Sequence, residues 1–202
     1  MAILFIPFST REFNQNLIDM AARWQAAHAL HDRNFTQVEN RIYQPGVRVL
    51  EDIQADEELH VLAHGQGTDY IVNDRVPNMT RDVFGQQVPV NAVLDANSLT
   101  ARLRESGLGF RHKTISLSVC NINGTMSRFA AAFLTEMKFL GYRANLNVYY
   151  YAAPVSVPRP AGDGGPVVQH VIFLGQGDYI ATPSGLAPLN RPVPAGPFTH
   201  KA

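Results

Sequence analysis

Two residues give the chain its most reactive combination of side-chain types. Cys120, its only cysteine, closes the apolar run Thr114-Ile115-Ser116-Leu117-Ser118-Val119-Cys120. His64 closes a second such run, Leu59-His60-Val61-Leu62-Ala63-His64, and is followed by Gly65. A thiol attacks as its thiolate, so it needs a base or a positive neighbour. Histidine titrates close to neutrality and is the usual partner. The two need not be close in sequence if they end neighbouring strands whose carboxyl ends point the same way. Open α/β sheets place their sites at those ends. Gly65 lets backbone approach a substrate closely, and its N–H suits an oxyanion. The Cys120 N–H is the second donor, and removing one such donor costs on the order of 10²–10³ in rate. A helix starting near Thr125 would lend its positive end to the thiolate.

Taken singly, each residue has a plainer reading. A cysteine at a strand end is commonly a buried small hydrophobe, and a lone histidine a hydrogen-bonded core or surface residue. Order, spacing and the two strand ends favour chemistry. His60 competes with His64 on the same strand and face, and the following glycine selects His64. The seven histidines are scattered without a ligand cluster, so no metal and no cofactor are expected. His28 and His31 read as a solvated helix end. Asp69 and Asp163 are candidates to receive a basic substrate side chain. Tyr149, Tyr150 and Tyr151 read as core and groove wall, and Asn121 and Asn123 as residues shaping a turn.

The elements that must position these residues alternate. Residues 2–8 predict a first core strand rather than a signal peptide. A helix over 11–31 follows, capped by Ser9 or Thr10, with Phe13, Leu17, Ile18, Ala21, Trp24, Ala27 and Leu30 at helical spacing. Short strands are expected at 41–43 and 47–50, and a hairpin arm at 70–72. Asn97 or Ser98 caps a helix to about Ser106, with Gly107 past its end. Phe129, Ala130, Phe133, Leu134, Met137 and Leu140 predict the best helix of the chain, ended by Gly141. Strands at 145–153 and 167–174 flank a loop from Pro158 to Pro166. Residues 73–96 carry weak signals. One domain over 1–182 is expected, with a proline-rich, extended tail over 183–202.

Lys+Arg and Asp+Glu both number 17, so the net charge is zero, which argues against a nucleic-acid binder. No apolar run of about 18 residues predicts a membrane span. A single cysteine excludes an intramolecular disulfide and suits a reducing compartment. The expectation is a cytoplasmic protein, or one secreted into a host cytosol without a classical signal peptide. The oligomeric state is not encoded in any motif.

An apolar strand ending in His-Gly, then about 50 residues on an apolar strand ending in Cys, resembles the caspase-like (clan CD) cysteine peptidases. These include caspases, legumains, gingipains, separases and the self-processing protease domains of large bacterial toxins. Leu62-Ala63-His64-Gly65 and Ile115-Ser116-Leu117-Ser118-Val119-Cys120 are most similar to the toxin domains. The resemblance covers residues 59–155. It implies a caspase-like α/β fold, with a mostly parallel central sheet and helices on both faces. It also implies His64 as base, Cys120 as nucleophile, and Gly65 with Cys120 as oxyanion hole. The strand over 148–156 would hold extended substrate backbone by β-pairing, so Tyr149, Tyr150, Tyr151 and Ala153, with Asp69, are the implied substrate-binding residues. The implied activity is that of a cysteine endopeptidase acting on a peptide or protein through a thioester, as a bacterial effector or self-processing module.

The chain departs from the family in two places. Val119-Cys120-Asn121-Ile122 stands where caspases carry their pentapeptide, so aspartate specificity is not carried over. The candidate flap at 158–166 holds a single basic residue, Arg159, whereas the toxin domains are activated by inositol hexakisphosphate through a basic flap. Two rivals remain: a thiol hydrolase or acyltransferase on a non-peptide substrate, and a caspase-like binding module without turnover.

Overall fold

The computed structural model describes residues 2–12, 14–31, 37–65, 69–74, 79–81, 83–89, 92–119, 126–143, 145–151, 159–160, 167–170, 178–182, 185–188 and 199–201. Side-chain environments are described for a subset of these. In chain order the elements are β1 (Ala2–Ile6), α1 (Gln15–His31), β2 (Val38–Ile42), β3 (Glu58–Gly65), β4 (Ile71–Val72), β5 (Met79–Arg81), β6 (Gln87–Pro89) and β7 (Val93–Leu94). Then come α2 (Ala96–Glu105), β8 (Thr114–Val119), α3 (Met126–Phe139), β9 (Asn147–Tyr151), β10 (Arg159–Pro160), β11 (Val167–His170), β12 (Asp178–Thr182), β13 (Gly185–Pro188) and β14 (Thr199–Lys201).

The central sheet runs β14-β9-β8-β3-β1-β2, with β4 joined to β3 and β7 to β4. The β2-β1-β3-β8-β9 pairs are all parallel, and β14 joins antiparallel. The expected α/β class with a mostly parallel sheet is therefore present. The order in which strands are added along the sheet reverses between β1 and β3, the switch point where doubly wound sheets open a crevice at their carboxyl ends. The crossover through α1 runs one way along the sheet, and those through α2 and α3 run the other. Right-handed crossovers thus place α1 on one face and α2 with α3 on the opposite one. Trp24 of α1 meets His60 edge-on at 5.2 Å between ring centroids, which identifies the α1 face.

Burial follows from this layering. β1 is buried along its whole length, as a parallel strand covered on both faces must be. Phe5, Val61, Ile115 and Leu117 are fully buried. In α3, Met126, Phe129, Ala130, Phe133 and Met137 are buried, while Leu134 and Leu140 pack partly covered against the core. Leu17, Ala21 and Trp24 of α1 are buried as their spacing predicts.

Helix ends follow local chemistry. Asp95 caps α2 by accepting from the Ser98 N–H, two or three residues ahead of the expected Asn97 or Ser98. Past α2, the Gly107 N–H donates to the Arg104 carbonyl and the Leu108 N–H to that of Leu103. Gly107 has φ +87°, so this is a Schellman close. α3 ends the same way, with Gly141 at φ +91° and the Tyr142 N–H donating to the Met137 carbonyl.

Several expectations are corrected. β2 lies at 38–42, and no strand forms at 47–50, where 47–48 are irregular and 49–50 turn. The weak region 73–96 holds β5, β6 and β7, and β10 lies inside the proline-rich loop. Ser9 precedes a short 3-10 turn that Thr10 opens, Thr10–Glu12, and α1 begins only at Gln15. The boundary expected between 182 and 183 falls inside the β12–β13 hairpin, where Thr182 stands opposite Gly185. The stretch expected to be a tail also supplies β14 to the central sheet. Phe13 lies outside the described residues, and the side chains of Ala27, His28, Leu30 and His31 are not described.

Candidate functional site

β3 and β8 are neighbouring parallel strands in register from Leu59↔Ile115 to Ala63↔Val119. Residues in register share a face, and side chains alternate along each strand. His60, Leu62 and His64 therefore share the α1 face with Ser116 and Ser118. The two expected catalytic residues are next in sequence after the registered pair Ala63 and Val119. Cys120, Ala153 and Asp163 lie outside the described residues.

His64 is buried, at 5% exposure. Its Nε2 lies 2.9 Å from Oδ1 of Asn16, in the first turn of α1. An amide oxygen only accepts, so Nε2 carries the hydrogen and the basic lone pair of the neutral ring is on Nδ1. Asn16 was not singled out in the sequence. Its only signal is a polar residue at the start of an amphipathic helix, with its partner 48 positions on.

His60 is used differently. Its Nε2 lies 3.0 Å from Glu58 Oε1 and its Nδ1 3.2 Å from Ser118 Oγ. With Trp24 against its ring, His60 ties β3 to β8 beneath α1, and both its nitrogens are committed to structural partners.

The loop leading into α1 is braced at the switch point. Arg102 of α2 donates to both carboxylate oxygens of Glu12, at 3.0 and 2.7 Å, and to the Pro7 carbonyl. Its guanidinium lies 4.6 Å from the Tyr43 ring centroid and 5.7 Å from that of Phe8. Burial pushes the Glu12 carboxyl up, but the donors on Arg102 and Ser9 outweigh it and hold the group below its ordinary value. The Asn14 Nδ2 donates to the Phe8 carbonyl at 2.7 Å, and the Asn73 Nδ2 to the Glu12 carbonyl. Asn16 thus sits two residues past a segment fixed from both sides.

Beyond His64 the chain turns back on itself. β4 pairs antiparallel with the end of β3, His64 opposite Val72 and Gly65 opposite Ile71. Asp69, on this return, pairs with Arg128 in the first turn of α3, with 3.2 Å between Oδ1 and Nη2. Both side chains are exposed, at 61% and 70%. The pair links the chain after His64 to the helix after Cys120. On β9, Tyr149 and Tyr150 are half-buried and Tyr151 is buried. β14 runs along the outer edge of those three residues. Among the described residues no group of three metal-ligating side chains comes together, and no helix is long and apolar enough to cross a membrane.

Comparison with known proteins finds no family model that matches the chain and no curated relative similar to it.

Proposed function

We propose that the chain is a caspase-like cysteine endopeptidase working through a His64–Cys120 dyad, with Asn16 orienting the histidine. The observation that carries this reading is the register Ala63↔Val119 between parallel β3 and β8, with His64 and Cys120 the next residue of each run. His64 Nδ1 takes the Cys120 thiol proton. The thiolate attacks the scissile carbonyl carbon, forming a C–S bond and an oxyanion held by the N–H groups of Gly65 and Cys120. As the C–N bond breaks, the leaving amine takes the proton from the imidazolium, and water then hydrolyses the thioester. The Asn16 Oδ1 accepts from Nε2–H throughout, keeping the ring in one tautomer, the role that the third group plays in triads. No cofactor is needed. The substrate is a peptide or protein. A bacterial effector or self-processing role extends the resemblance and nothing more.

The test is the pH profile of Cys120 alkylation by iodoacetamide, in the wild type and in His64→Ala, followed by a fluorogenic peptide library. An activated dyad gives alkylation at neutral pH well above that of a free thiol, lost in His64→Ala. Alkylation no faster than a free thiol, or unaffected by His64→Ala, rules the dyad out.

A further inference from the structure

β2 ends the central sheet on the side away from β9. It pairs in parallel with β1 from Ala2↔Val38 to Ile6↔Ile42. Among the described residues no strand lies along its other edge. The Ala2 N–H donates to the Gln37 carbonyl and the Tyr43 N–H to that of Ile6, both at 2.9 Å. Backbone groups alternate in direction along a strand, so those of Glu39 and Arg41 also serve β1. The N–H and C=O groups of Val38, Asn40 and Ile42 therefore point to the outer edge. Gln25 of α1 donates to one of them, the Val38 carbonyl, at 2.8 Å.

The side chains of this edge are self-complementary about Asn40. Val38 and Ile42 are β-branched and stand two residues to either side, while Glu39 and Arg41 carry opposite charges one residue to either side. Glu39 and Arg41 share a face, with Arg41 Nε 2.8 Å from Glu39 Oε1. Asn40 lies on the α1 face, its Nδ2 donating to Gln25 Oε1 at 2.8 Å. Arg41 is also anchored away from the edge. Its Nη1 donates to the Val49 carbonyl and its Nη2 to Asp52 Oδ2, each at 2.9 Å.

We propose that β2 is the contact surface of a two-fold symmetric homodimer, in which β2 of a second copy pairs antiparallel with it about Asn40. Asn40 then meets Asn40 of the second copy as a mutually hydrogen-bonded pair, with Val38 opposite Ile42. Glu39 of each copy stands opposite Arg41 of the other. Opposite charges facing each other across strands stabilise an antiparallel pair, and like charges destabilise it. Centring the pair on Glu39 or Arg41 sets like charges face to face, so the charges select one register. A lone charge on an edge strand keeps other strands away, whereas this pair of charges complements a copy of itself. The Val49 and Asp52 anchors hold Arg41 while it exchanges one glutamate for another, so docking costs little side-chain freedom. The contact is isologous and closes at two copies. Five residues of edge make a small interface, which gives a weak, concentration-dependent dimer rather than an obligate one. Because the pairing is antiparallel, the carboxyl ends of the two sheets point in opposite directions. The contact lies on the edge opposite β9, so it stands independently of the peptidase reading.

The test is sedimentation velocity of the full chain over a hundredfold range of concentration. A monomer–dimer equilibrium is expected. Glu39→Arg, which leaves the Arg41 anchors in place, is expected to weaken it at least about tenfold. Arg41→Glu is expected to do the same, and a mixture of the two variants is expected to form the heterodimer, since each then faces its opposite charge. Asn40→Pro removes an outward N–H without touching the β1 ladder and is expected to be monomeric. Thermal melts check that each variant is folded. Hydrogen exchange read by NMR on the wild type needs no variant. The amides of Asn40 and Ile42 are expected to slow as protein concentration rises, while those of Glu39 and Arg41 are protected throughout. A chain that stays monomeric, or a dimer that Glu39→Arg and Asn40→Pro leave unchanged, overturns the proposal. So do exchange rates at Asn40 and Ile42 that do not depend on concentration, a mixture of the two charge variants that stays monomeric, and particles larger than a dimer.

Discussion

The Nε2 of His64 lies 2.9 Å from Oδ1 of Asn16, joining the end of β3 to the first turn of the helix that covers it. The contact gives the histidine one tautomer and one orientation. A hydrogen bond of this kind is worth about 0.5–1.5 kcal/mol, so on the proposed peptidase reading Asn16→Ala is expected to lower kcat by up to about tenfold while leaving KM nearly unchanged. A purely structural loss would not move the pH profile. Removal of the acceptor from Nε2–H is expected to shift the acid limb of the alkylation profile, and Asn16→Gln is expected to restore part of it. Stopped-flow alkylation across pH, beside a thermal melt of each variant, separates the two effects.

His60 provides the contrast. Its ring bridges Glu58 and Ser118 under Trp24, and neither nitrogen is left for proton transfer to a substrate. Ser118→Ala leaves the buried His60 Nδ1 without its hydrogen-bond partner, at a cost of about 1–3 kcal/mol. The expected signature is a lower urea midpoint with an alkylation rate constant and pH profile like those of the wild type. A loss of Cys120 reactivity out of proportion to the loss of stability would place His60 in the chemistry instead.

β3 and β8 were legible because short runs such as Leu59–His64 and Ile115–Val119, rich in apolar residues and flanked by polar stretches, suit buried strands. α3 was legible because its apolar stripe spans four turns and a glycine closes it. β2 was not: Val38-Glu39-Asn40-Arg41-Ile42 is polar, as befits the last strand on that side of the sheet. Its hydrogen bonds come from β1 rather than from its own pattern. β14 was hidden because pairing, not propensity, makes Thr199-His200-Lys201 a strand, in a stretch whose prolines suggest an open arm. The partnership of Asn16 with His64 had no local signal at all, since it exists only after α1 folds back over β3.

Arg102 holds the start of α1 in place through Glu12, Pro7 and two aromatic rings. Arg102→Met keeps much of the apolar stem but removes a two-pronged, charge-assisted contact, and is expected to cost about 2 kcal/mol. Arg102→Lys keeps the charge and loses the fork, so it is expected to fall between wild type and Arg102→Met. Because Asn16 follows this braced segment, both variants are expected to slow Cys120 alkylation in the same order. Chemical denaturation and alkylation on the same three proteins check the ranking.

Stability is expected to fall on the acid side in two stages. Burial lowers the affinity of His112 for its proton, against the support of the Thr114 and Gln54 backbone. A histidine whose folded value is depressed binds its proton more readily when unfolded. Its contribution is complete above about 6.5 and is lost as pH falls below that, through the folded value. Glu12 is also depressed, so its contribution holds above the ordinary glutamate value and is lost as pH falls through the folded one. Urea midpoints at pH 7.5 and 5.5 are expected to differ, with a smaller difference in His112→Gln. An unchanged difference in that variant would assign the slope to other groups.

Gly107 and Gly141 close α2 and α3 with nearly the same backbone, φ +87° and +91°, but their surroundings differ. A Cβ on Gly141 meets nothing within 4 Å, whereas one on Gly107 falls 3.0 Å from the Glu51 Cβ, 3.0 Å from the Arg48 Nε and 3.1 Å from the Arg48 Cβ. The Arg48 Nε lies at the far end of a flexible side chain and moves aside at little cost. The two Cβ atoms are fixed to the 43–57 crossover, which is itself tied to α2 through the Leu50 N–H and the Ser106 carbonyl at 2.7 Å. Gly141→Ala is expected to cost only the left-handed strain, about 1–2 kcal/mol. Gly107→Ala pays the same strain plus the displacement of that crossover, and is expected to be the more destabilising by at least about 1 kcal/mol. Paired denaturation curves of the two variants measure the difference directly, and equal losses would mean that the crossover moves aside freely.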